Sequence, residues 1–120
     1  MKVTKLALAS VVASSLTWPA LAASPLSPNE IKATFGTGNP ISGRTAGGMT
    51  YTLTLNADGS SQMVLLKGAK TTSTGVWHVS KTGYCSKWGS NPTRCYAIVK
   101  NGKQYDVTDS AGRVVASWTI

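Results

Sequence analysis

The side chains able to do acid/base, nucleophilic or metal chemistry are few: the carboxylates Glu30, Asp58, Asp106 and Asp109, one imidazole at His78, and the sulfurs of Cys85 and Cys95. A structural zinc site takes four ligands, and two sulfurs with one histidine fall short of it. No Gly-x-Ser-x-Gly elbow and no Ser/His/Asp arrangement accompanies the many serines and threonines. Most of the carboxylates have structural work. Ser27-Pro28-Asn29-Glu30 is a capping box, with serine at the N-cap, proline at the first helical position and glutamate at the third. Asp58-Gly59 and Asp109-Ser110-Ala111-Gly112 are turn sequences. Asp106 alone has no local duty, and a neighbouring Lys100 or Lys103 is its expected surface partner. His78 alternates with Trp77 and Val79 and so points away from their buried face. The expectation is a protein that is not an enzyme and carries neither metal nor cofactor.

The two cysteines read as a disulfide. Gly83 to Trp88 and Arg94 to Val99 have the composition of two strands flanking the turn Gly89-Ser90-Asn91-Pro92-Thr93. A hairpin folded about Ser90 sets Cys85 directly opposite Cys95, with α-carbons about 4.5 to 5.5 Å apart, a spacing a disulfide tolerates. The ring it closes is short, and by loop entropy such a bridge stabilises by roughly 2 to 3 kcal/mol.

The same hairpin gathers cations and aromatics: Lys81, Tyr84, Lys87, Trp88, Arg94 and Tyr96, with Lys100 just beyond. Alternation puts Lys87 on the side of Cys85, and Tyr84, Ser86 and Trp88 on the other. The pairing that joins the cysteines sets Tyr84 against Tyr96 and leaves Trp88 and Arg94 close to the tip. Rings and cations together can stack on sugars or hold a polyanion. The competing reading makes Tyr84 and Tyr96 core residues, packs Trp88 on the disulfide and leaves the lysines solvated.

The elements that position these residues follow from periodicity. Residues 1 to 22 read as a secretory leader: Lys2 and Lys5, an apolar run from Leu6 to Trp18, and Ala20-Leu21-Ala22 before the cut. The run is too short and too interrupted to span a bilayer. About 98 residues then remain, enough for one domain, 23 to 120. The 12 basic and 4 acidic residues give a net charge of +8, and loss of Lys2 and Lys5 lowers it to +6. From Ala23 to Leu26 the chain reads as an unstructured lead. A helix is expected from Pro28 to Phe35, stapled by Leu26 and Ile31 and stopped at Gly36. Beyond Pro40 the period becomes two, with strands expected at 41–46, 49–56, 60–66, 71–80, 84–88, 94–100, 103–108 and 113–120. Met49, Tyr51, Leu53 and Leu55 share one face of the second strand, and Val114, Ala116, Trp118 and Ile120 one face of the last. Short turns between successive strands favour an all-β, seven- to eight-stranded antiparallel up-and-down meander. It is expected to close into a small barrel, with the helix over an open end or edge.

Thr74-Gly75-Val76-Trp77, Gly83-Tyr84-Cys85-Ser86-Lys87-Trp88 and Cys95-Tyr96, preceded by Leu26-Ser27 and Glu30-Ile31, resemble a group of small exported proteobacterial domains of unknown function. That resemblance implies an exported β domain and no activity. Gly75-Val76-Trp77 is also similar to the Gly-x-Trp of lipocalin- and avidin-like barrels, which implies barrel shape.

Export and basicity together point to a binding or interaction domain, periplasmic or secreted and monomeric. Its expected partner is an anionic envelope or extracellular component: lipid head group, cell-wall polymer, nucleic acid or another protein. Two other functions fit the same residues. One is a carrier of a small hydrophobic ligand, with a lumen lined by Tyr51, Leu53, Trp77, Tyr105 and Trp118. The other is an interaction or inhibitor module presenting the 89–93 loop.

Overall fold

A computed structural model describes residues 24–68 and 70–120. The leader expected at 1–22 lies outside the described residues. One helix, α1 (Pro28–Phe35), precedes eight strands: β1 (Ile41–Thr45), β2 (Thr50–Leu55), β3 (Ser60–Leu65), β4 (Thr71–Ser80), β5 (Gly83–Trp88), β6 (Arg94–Asn101), β7 (Gln104–Thr108) and β8 (Val114–Thr119). Every strand pairs antiparallel with its neighbour in sequence, and β1 pairs with β8, so the meander is a closed barrel. None of the described helices is long and apolar enough to cross a membrane.

The local signals act where they stand. Glu30 N donates to Ser27 Oγ at 3.2 Å while Ser27 N donates to Glu30 Oε1 at 2.8 Å, so both halves of the capping box are made. Leu26 packs against the core to which buried Ile31 belongs. At the β2–β3 turn Gly59 takes φ 94°, which only glycine adopts freely, and Ser60 donates to Asp58 Oδ1 through both its N–H and its hydroxyl. Asp109 likewise accepts from the backbone of Ala111 and Arg113.

Alternation then sorts the barrel. Tyr51, Leu53 and Leu55 on β2, Trp77 on β4, Tyr84 on β5, Ile98 on β6, Val107 on β7, and Ala116 and Trp118 on β8 face the lumen and are buried. α1 plugs one end of that lumen with Ile31 and Phe35, both fully buried. The Phe35 ring meets Tyr105 and Trp118 edge-on at 4.9 and 5.0 Å. Burying a side chain of this size stabilises by about 1.5 to 3 kcal/mol, so the helix is held by its plug and not by its eight-residue length.

Four expectations are corrected. The segment before the helix is not unstructured: Pro25 bridges Val99 and Leu26 N donates to Ile98 O at 2.8 Å. Pairing of β5 with β6 covers only Tyr84 to Ser86, which leaves that stretch of β6 needing a partner. Asp106 is not held by lysine, because Asn101 and Gln104 donate their side-chain amides to its two oxygens at 3.0 and 3.1 Å. The last strand does not alternate cleanly, since the register shifts so that Thr108 faces Val114 while Val107 faces Ala116. The extra residue, Val115, turns partly inward and Val114 is left exposed. Met49 and Ile120 are exposed too, because each lies beyond the end of its strand.

Candidate functional site at the open end of the barrel

In an up-and-down barrel successive turns alternate between the two ends. The β2–β3, β4–β5 and β6–β7 turns lie at the end plugged by α1, and the β1–β2, β3–β4, β5–β6 and β7–β8 turns surround the other. That second end is not plugged. A recess of about 320 Å³ opens there, lined by Tyr51, Met63, Leu65, Trp88, Tyr96 and Val115 among others. It sits at the low end of the range for small-molecule sites, roughly 300 to 1,000 Å³. At its floor Trp118 Nε1 donates to Tyr51 Oη at 2.9 Å, satisfying a donor that burial would otherwise strand.

Sorting charge by end gives a marked asymmetry. Arg44, Lys67, Lys70, Lys87, Arg94 and Arg113 surround the open end, where Asp109 is the single carboxylate. Arg113 already pairs with Asp109 at 3.1 Å. At the plugged end Lys32, Lys81, Lys100 and Lys103 are nearly balanced by Glu30, Asp58 and Asp106. Among the described residues all ten cations are exposed.

The residues expected to form the site are therefore divided. Cys85 and Cys95 are bridged as expected, with α-carbons 3.9 Å apart, closer than ladder partners ordinarily sit. The bridge lies on the outer face of the barrel, where Cys85 also pairs with His78. The Tyr84 and Tyr96 rings meet across the strands at 5.7 Å, tilted by 34°, on the lumen side, Tyr84 buried and Tyr96 at the recess wall. Trp88 is half-buried on that side, so it does not pack on the disulfide, which occupies the opposite face of β5. Arg94 holds a lumen-side ladder position opposite Ser86 yet is exposed, because the barrel ends there. Lys87 points outward and donates to Gly89 O at 2.9 Å. Lys81 is in the β4–β5 turn at the far end and does not belong with the others.

Sequence reasoning missed Arg44, Met49, Lys67, Lys70 and Arg113, which three other hairpins bring to the same rim. The usable signal was turn parity: once a meander closes, every second turn shares an end.

A second recess, of about 740 Å³, lies between α1 and the β2–β3 turn and includes Lys32, Asp58, Trp77 and His78 in its walls. Its floor is closed by Trp77, whose Nε1 donates to Asn56 O at 2.8 Å. Asp58 there is committed to Ser60, which holds its carboxyl below the usual carboxylate range. Among the described residues His78 makes no hydrogen bond to a carboxylate, and no three of His, Cys, Asp and Glu come together. No family model, no curated protein and no solved structure matches the chain.

Proposed function

We propose that this is a non-enzymatic binding domain of the periplasm or the extracellular space, which presents the open end of its barrel to an anionic partner. The observation that carries this reading is the collection of six exposed cations around an aromatic recess, with one carboxylate that Arg113 already occupies. A surplus of one sign around a concave surface concentrates ions of the other sign there. The disulfide supports a compartment outside the reducing cytoplasm, and the leader pattern and the likeness to exported domains of unknown function agree with it. Each carboxylate has a structural partner, which supports a role other than catalysis.

The test is a titration with polyphosphate at low and high salt. Wild-type protein is expected to bind at low salt and to weaken steeply as salt rises. Lys67→Glu with Lys70→Glu should weaken binding by about tenfold or more, while the same reversal of Lys100 and Lys103 at the plugged end should change it little. Absence of binding at low salt, or equal loss from both ends, would overturn the proposal.

The recess itself favours a second reading, a carrier of a small apolar group. Displacement of an apolar dye by short fatty acids, abolished by Ala116→Phe in a folded variant, would support it; no dye uptake would end it.

A further inference from the structure

The same rim that carries the cations also carries exposed apolar side chains, and solvated lysines alone do not account for these. Among the described residues the exposed large hydrophobics are Met49 at 43%, Leu66 at 46%, Val114 at 47%, Val76 and Ile120. Three of the five lie at the open end, in or beside the β1–β2, β3–β4 and β7–β8 turns. Met49, Leu66 and Lys67 all line one small depression, and Leu66 N donates to Thr50 O at 3.1 Å, so backbone pairing holds these two tips together. Val114 follows Arg113 directly, and Ala46 N donates to Val115 O at 3.0 Å, tying the third tip to the first turn. Trp88 completes the rim, half-buried beside the β5–β6 turn.

Apolar tips flanked by lysine and arginine at one end of a rigid body, with an aromatic ring at the boundary, match the chemistry of an anionic lipid surface. Cations meet the head groups, tryptophan prefers the interfacial layer, and short apolar side chains reach the acyl boundary. A soluble polyanion would use the cations and leave Met49, Leu66 and Val114 without a partner. We infer that the open end of the barrel docks face-on to an anionic lipid leaflet, with Met49, Leu66 and Val114 entering its acyl boundary and the six rim cations on its head groups. This rests on the anionic-partner reading and names the partner.

The experiment compares partitioning onto phosphatidylcholine vesicles with and without phosphatidylglycerol, using the protein as recovered from the cell so that all variants share one amino terminus. Wild-type protein is expected to favour the anionic vesicles by about tenfold or more at low salt. Met49→Ser with Leu66→Ser, both exposed and so compatible with folding, should lower that partitioning by about tenfold. The same variant should leave polyphosphate affinity within about twofold of wild type, since it removes no charge. Brominated lipid should quench wild-type tryptophan fluorescence, and Trp88→Phe should abolish that quenching. Equal vesicle binding by wild type and the serine variant would overturn the inference, because charge alone would then suffice. Binding to polyphosphate without binding to anionic vesicles would overturn the inference and leave the anionic-partner reading standing. Failure to bind either would remove both.

Discussion

Trp118 Nε1 donates to Tyr51 Oη at 2.9 Å across the lumen, joining side chains of β8 and β2 that are 67 residues apart. Gly43 on β1 pairs with both residues, and a β-carbon at Gly43 would overlap the Tyr51 ring, so the phenol lies over the strand that closes the barrel. Tyr51→Phe keeps the ring and strands the indole donor. It is expected to lower stability by about 1 to 3 kcal/mol, with the barrel intact. Urea denaturation measures it, and a double-mutant cycle with Trp118→Phe should show coupling, because the second change removes the stranded donor.

The disulfide joins two strands that are already neighbours. Cys85→Ser with Cys95→Ser should fold and lose roughly 2 to 3 kcal/mol, as expected of a short ring. For a domain of this size that is a fall in Tm of about 10 to 20 °C. A thiol assay on the native oxidised protein should detect none, and a free thiol there would contradict the bridge.

Acid should unfold the protein partly through three carboxylates. The Ser27 backbone N–H and hydroxyl hold Glu30 below its usual value, the Ser60 hydroxyl and N–H do the same for Asp58, and the Arg113 backbone leads for Asp109. Because these groups are depressed in the folded state, their contribution is complete above the ordinary carboxylate range near pH 4 and is lost as pH falls through their folded values. Tm measured from about pH 6 to about pH 2 should drop across that range, and Asp109→Asn should start lower and drop less steeply. An identical acid limb in that variant would show that Asp109 contributes nothing.

Alkali acts with the opposite sign on the phenols. Burial pushes Tyr84 well above the ordinary tyrosine value and raises Tyr51 as well, because the phenolate is poorly solvated in the lumen. Their contribution is complete below about pH 10 and is lost as pH rises above it, where the unfolded chain ionises first. Phenolate absorbance from these two residues should appear only as the β-sheet circular dichroism collapses. Tyr84→Phe should move that collapse to higher pH; full ionisation of all four tyrosines with the sheet intact would contradict their burial.

What the amino-acid sequence determined here is local. The capping box at Ser27 and Glu30, the stop at Gly36, the alternation of Tyr51, Leu53 and Leu55, the Asp58-Gly59 turn and the Cys85–Cys95 hairpin each join residues no more than 10 positions apart. Nearby groups meet whatever the rest of the chain does, so the helix and all eight strands were legible, and closure followed as the simplest way to bury one face of a meander. Tertiary structure decided what depends on distant partners. The bulge at Val115 and the tie between Trp118 and Tyr51 depend on the register in which the barrel closes. Asp106 is the local exception: the amides of Asn101 and Gln104, five and two positions away, reach both of its oxygens at once. The rim is the clearest case. Arg44, Lys67, Lys87, Arg94 and Arg113 are separated by most of the chain, and each alone reads as a solvated surface cation. Only a closed up-and-down barrel puts alternate turns at one end, and that geometry turns a diffuse net charge into a ring around an open, aromatic mouth.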